Sequence, residues 1–144
     1  MNIILAAHGN LAKEVLCSAN MVFGRIDRLD TVSFVPGENT QDLKAKYRAL
    51  IQKYDSQEQI LFLTDLFGGS PYNAAFETVA EEERMDVITG LSLPMLIDVV
   101  GMREMDAEVK AADVYERLSG ETYIKSCKAL LDTEKEENEE EDEI

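Results

Sequence analysis

Short apolar runs alternate with amphipathic stretches along this chain, and that alternation leaves few architectures open. Residues 2–7 (NIILAA), 31–35, 60–63 and 86–89 have the length and continuity of strands buried on both faces. The segments between them carry apolar side chains at helical spacing. Residues 11–23 set Leu11, Val15, Leu16, Ala19, Val22 and Phe23 on one face, and Gly24 closes the helix. After Pro36-Gly37, Asn39 or Thr40 caps a helix to about Tyr54, with Leu43, Tyr47, Leu50 and Ile51 inward. Ser70-Pro71 opens a third helix with an N-cap hydroxyl and a first-turn proline, running through Ala74, Ala75, Phe76 and Val79. Ser92-Leu93-Pro94 repeats that kind of start, and a further helix is predicted over residues 106–118. Four βα units in succession predict an α/β fold, a doubly wound open sheet of four parallel strands with helices on both faces.

Beyond Gly120 the signals conflict. Tyr123 and Ile124 suit a strand, whereas Cys127, Leu130 and Leu131 suit a helix. The last residues form an acidic run with almost nothing to bury, so a disordered tail is expected over 132–144, after a single domain spanning 1–131.

A length of 144 residues and a hydrophobic fraction of 45% support one core. Residues 134–144 hold eight acids against Lys135, which leaves −8 of the total −15 on the body. With no Lys/Arg cluster to neutralise phosphates, nucleic acid is excluded as a partner. The start, MNIILAAHG, has no basic region or cleavage site, and the apolar stretch 91–102 is broken by Ser92, Pro94, Asp98 and Gly101. Cys17 and Cys127 lack metal or CxxC spacing. A reduced, cytoplasmic protein is expected.

Two loops at strand ends carry unusual chemistry. Ala7-His8-Gly9-Asn10 follows the first strand and Thr64-Asp65-Leu66-Phe67-Gly68-Gly69-Ser70-Pro71 the third. In a sheet of order 2-1-3-4 those strands are neighbours, and their outgoing loops flank the crevice where such folds bind ligands. His8 and Asp65 then meet across one strand spacing, about 5 Å. A carboxylate that accepts one ring N–H leaves the other nitrogen free to attack phosphorus and supports the charge that follows. Gly68, Gly69 and Ser70 lead into a helix N-terminus that favours an anion, and Gly9 allows close approach beside His8.

A lone His, a lone Asp or a glycine pair is commonplace. The signal is their conjunction, with the chain's single histidine at one crevice, and the residues themselves point to a phosphoryl or acyl site. No GxGxxG or Walker loop appears, and no second His or paired Cys could complete a metal site. A receiver-like module with Asp65 as acceptor needs an acidic pair where this chain has Ala6-Ala7-His8. The Tyr and Phe residues fall at core spacing and read as packing.

With those residues in view, the chain resembles the IIA components of the mannose family of the bacterial sugar phosphotransferase system. The likeness rests on IILAAHGNLAKEVL, FVPGENTQDL, LFLTDLFGGSPYNAA and VITGLSLPML and spans residues 1–131. It implies that His8 is phosphorylated, that Asp65 hydrogen-bonds its ring, and that Ser70 and the adjoining helix start cradle the phosphoryl group. It implies phosphorylated HPr as donor and a IIB protein as acceptor, serving a IIC/IID membrane permease. No cofactor or metal is required by that chemistry. The family also exchanges its last strand within a homodimer, which favours an antiparallel strand over residues 123–130. The acidic end in place of a linker implies a free-standing IIA protein. Two other readings share the fold: a regulatory interaction module that uses His8 phosphorylation as a signal, and the phosphocarrier subunit of a dihydroxyacetone kinase.

Overall fold

The computed structural model describes residues 1–118 and 126–143. Along the chain lie β1 (Asn2–His8), α1 (Leu11–Phe23), β2 (Leu29–Phe34), α2 (Thr40–Ile51) and β3 (Ile60–Thr64). They are followed by α3 (Ser70–Val79), β4 (Met85–Thr89), α4 (Leu93–Met105), α5 (Ala111–Arg117) and α6 (Cys127–Asp142). The strands form one parallel sheet in the order β2-β1-β3-β4, as the βα alternation predicts. Ala6 of β1 is in register with Val32 on one side and Thr64 on the other, so the ends of β1 and β3 lie side by side.

Because β1 and β3 are central, both their faces are covered. Ile3, Leu5, Leu61 and Leu63 pack with Ala12 and Ala19 of α1 and with Leu96 and Val99 of α4. On the other face Ile4, Ala6 and Phe62 meet Leu43 and Tyr47 of α2 and Ala74 and Ala75 of α3. Each fully buried Leu, Ile or Phe contributes about 1.5–3 kcal/mol, so the two strands that deliver the site are held by burial on both faces. At the opposite end of the sheet, Arg103 of α4 is only 5% exposed. Its guanidinium donates to the carbonyls of Met1, Asp27 and Arg28, tying α4 to the entries of β1 and β2.

Several local expectations need correction. The helix predicted over 106–118 is reduced to α5, because the Asp106 carboxylate accepts from the N–H of Glu108 and makes a turn. The aromatic residues do not all pack inward: Tyr47 and Phe62 are fully buried, whereas Phe67, Phe76 and Tyr115 are exposed. On α1 the small residues Ala12 and Ala19 are buried, while Leu11, Val22 and Phe23 remain exposed.

The acidic tail is not disordered but helical. Ser126 caps α6 by accepting from the N–H of Ala129 at 3.2 Å, and the Lys, Ala, Leu and Glu that follow are strong helix formers. No residue of α6 is buried, so local propensity alone accounts for it. Of the strand expected over 123–130, residues 127–130 are helical, and 123–125 lie outside the described residues.

Candidate active site

The site stands at the carboxyl end of the sheet. His8 closes β1 and Asp65 is the first residue beyond β3, so the parallel register of two buried strands sets their separation. His8 Nδ1 lies 2.9 Å from Asp65 Oδ2, and the same oxygen accepts the His8 backbone N–H at 3.0 Å. The imidazole is 46% exposed, whereas the carboxylate is only 12% exposed. Asp65 Oδ1 is buried and takes no donor among the described residues.

Two further contacts border the ring, and a backbone turn follows it. Phe34, the register partner of His8 on β2, meets it edge-on with centroids 5.5 Å apart. Gly9 turns away with φ 59°, its N–H donating to the Phe34 carbonyl. Gly69 lies directly against the imidazole, since a Cβ built there would stand 3.0 Å from His8 Cε1.

The glycine turn has its own supports. Gly68 adopts φ 78°, its carbonyl accepts from Asn73 Nδ2 at 3.0 Å, and the Gly69 N–H donates to the Leu66 carbonyl. Gly69, and not Ser70, is the N-cap of α3; Ser70 is the first helical residue and its hydroxyl makes no cap bond. That hydroxyl is therefore not engaged in capping the helix. Behind the turn, the buried Tyr47 hydroxyl donates to the Pro71 carbonyl at 2.9 Å and anchors the start of α3 to α2. Burial, and secondarily the charge of Asp65, push that phenol above its ordinary range.

The arrangement has a definite chemical sense. A ring nitrogen facing a carboxylate oxygen carries the proton, so Nδ1–H donates and Nε2 keeps its lone pair. The first N–H groups of α3, unpaired within the helix, contribute partial positive charge beside the ring. Among the described residues Asp65 is the only ionic partner of His8, and no three His, Cys, Asp or Glu side chains converge on a metal-sized site. The exposed side chains of Leu11, Val35, Leu66 and Phe67 rim this end of the sheet, an apolar border suited to a protein partner.

The structure thus brings His8, Asp65 and Gly69 into contact, and places Gly9, Gly68 and Ser70 in the adjoining backbone. Phe34, Asn73 and Tyr47 escaped the sequence reading. Phe34 follows from the register of β2 on β1, but Asn73 and Tyr47 act on carbonyls that no local pattern reveals.

Comparison with known proteins is decisive here. The family model described as "PTS system fructose IIA component" matches residues 2–118. The chain belongs to that family. It is 38% identical over 104 residues to the fructose-specific EIIA component of Bacillus subtilis, covering 72% of this chain and 71% of that one. It is 38% identical over 128 residues to the mannose-specific EIIAB component of Escherichia coli, covering 89% of this chain but 39% of that longer protein. Among solved structures, the phosphotransferase system component EIIA from Streptococcus agalactiae superposes with a TM-score of 0.75 at 28% identity, over 89% of this chain and 98% of that one. A IIA protein associated with the fucose utilization operon of Streptococcus pneumoniae gives the same score and identity, over 90% and 95%. As a IIA component, this chain is a phosphocarrier of a sugar phosphotransferase system. No helix among the described residues is long and apolar enough to cross a membrane.

Proposed function

We propose that His8 Nε2 accepts a phosphoryl group from phosphorylated HPr in the cytoplasm. The group then passes to a IIB component, which serves the IIC/IID permease of a mannose-family system. The observation that carries this reading is the 2.9 Å contact between His8 Nδ1 and Asp65, which leaves Nε2 as the free nucleophile of a half-exposed ring.

The transfer is an in-line displacement. As Nε2 forms its bond to phosphorus, the donor's nitrogen–phosphorus bond breaks and the donor histidine departs as imidazole with the bonding pair. The proton on Nδ1 stays in place, so the phosphorylated ring gains positive charge that the Asp65 carboxylate balances. The N–H groups at the start of α3 and the Ser70 hydroxyl are positioned to stabilise the phosphoryl oxygens. Gly68 and Gly69 supply a turn without side chains, which lets backbone approach the group. Passing the group onward reverses the same steps, since donor and acceptor bonds are both phosphoramidates.

The working unit in this reading is a homodimer joined at the edge of the parallel sheet. The position of β4 at an edge of the sheet among the described residues supports it.

A reconstituted relay tests the proposal. With phosphoenolpyruvate, enzyme I, HPr and a IIB acceptor, the wild type passes phosphate, while His8→Ala and His8→Gln remain folded and pass none. Relay by either variant would overturn it.

A further inference from the structure

Tyr47 crosses the core from α2 to the start of α3. It is fully buried, its ring meets Phe62 of β3 edge-on with centroids 4.9 Å apart, and its hydroxyl donates to the Pro71 carbonyl at 2.9 Å. Burial, and secondarily the charge of Asp65, hold the phenol above its ordinary range, so the hydroxyl keeps its proton and acts as a fixed donor. The Pro71 oxygen belongs to the same peptide group as the Tyr72 N–H. Pro71 has no N–H of its own, and the Asn73 N–H donates to the Gly69 carbonyl. In the first turn of α3, the N–H groups of Ser70 and Tyr72 are therefore the two without an acceptor among the described residues. Those two are left to meet an anion beside His8.

A hydrogen bond accepted by a peptide oxygen polarises the whole peptide and makes its N–H a stronger donor. We propose that Tyr47 is a positioning residue for transfer at His8: it holds and polarises the 71–72 peptide, so that the Tyr72 N–H stabilises the phosphoryl oxygens. The inference rests on the His8 relay proposed above and names a buried residue on which its rate depends. Charge is spread over the peripheral oxygens in transit, so a stronger donor counts most there. Being fully buried, Tyr47 touches neither the reacting atoms nor a docked partner, and its effect falls on the transfer step instead of on docking. Asn73 acts differently: its side chain donates to the Gly68 carbonyl, but the Gly69 N–H of that peptide is already engaged by the Leu66 carbonyl.

Tyr47→Phe in the full chain tests this, with rapid-quench transfer measured over a range of phosphorylated HPr concentrations. Phenylalanine keeps the ring against Phe62, and the Lys44–Glu77 ion pair still joins α2 to α3, so the variant should stay folded. Its maximal transfer rate should fall roughly tenfold, while the half-saturating HPr concentration stays within about twofold of the wild type. Amide NMR gives a second readout that a merely structural role would not move. On phosphorylation the Tyr72 N–H proton should shift downfield in the wild type and clearly less in Tyr47→Phe. An unchanged maximal rate, a loss confined to half-saturation, or equal Tyr72 shifts in the two proteins would overturn the inference. So would a rate that returns to the wild-type value well below the variant's melting temperature. Mapping the phosphate on the same samples separates the two readings: phosphate on His8 with wild-type kinetics overturns the role of Tyr47 alone, whereas phosphate elsewhere overturns the relay as well.

Discussion

A single oxygen of Asp65, Oδ2, accepts both the backbone N–H and the ring Nδ1–H of His8, at 3.0 and 2.9 Å. One carboxylate thereby fixes the end of β1 and the orientation of the imidazole together. Asp65→Ala should fold yet transfer phosphate roughly 10²-fold more slowly, because the ring loses both its alignment and its counter-charge. Asp65→Asn keeps an acceptor oxygen but no charge, and should fall between the alanine variant and the wild type. Rapid-quench measurement of transfer from phosphorylated HPr separates these cases; wild-type rates in both would show that His8 acts without its carboxylate.

The meeting of His8 and Asp65 was legible because it depends on strand order. Two wholly apolar runs become central neighbours, and whatever follows each of them shares a crevice. What local patterns could not show was which side chains the sheet leaves uncovered. Phe67 and Phe76 have the same spacing as core residues, yet both stay exposed in the fold. Ser70-Pro71 likewise located the start of α3, but the N-cap moved to Gly69 because the glycine turn already supplies an extended residue there. Tertiary burial gives no hint of order at the acidic end, because α6 buries no residue and rests on local helix propensity.

Gly69 offers a test of how closely the ring is packed. Its φ of −72° suits alanine, so Gly69→Ala brings no backbone strain. The added methyl would stand 3.0 Å from His8 Cε1 and 3.2 Å from the Leu66 carbonyl oxygen. A displaced ring should cost up to roughly 10²-fold in transfer rate with a melting temperature near that of the wild type. Kinetics unchanged by the methyl would mean that the ring can move aside without penalty.

Arg103 concerns stability and not transfer. Arg103→Met leaves the carbonyls of Met1, Asp27 and Arg28 without their donor in a buried setting. Urea unfolding should show a loss of about 3 kcal/mol, with relay intact well below the transition. A loss under about 0.5 kcal/mol would indicate that water replaces the guanidinium freely.

The outer part of α6 should be dispensable. It buries no residue, so removing residues 134–144 should change unfolding stability by less than about 0.5 kcal/mol. Transfer at physiological salt should be unaffected. A collapsed melting temperature or a lost relay would reveal contacts that α6 does not make in this structure.

The position of the phosphoryl group tests the assignment of His8 most directly. After incubation with phosphoenolpyruvate, enzyme I and HPr, intact mass and peptide mapping of the full chain should show a single phosphoryl group, on His8. Nitrogen NMR of the labelled ring should place it on Nε2, with the proton retained on Nδ1. Phosphate mapped to Asp65, to Ser70 or to the Nδ1 position would contradict it.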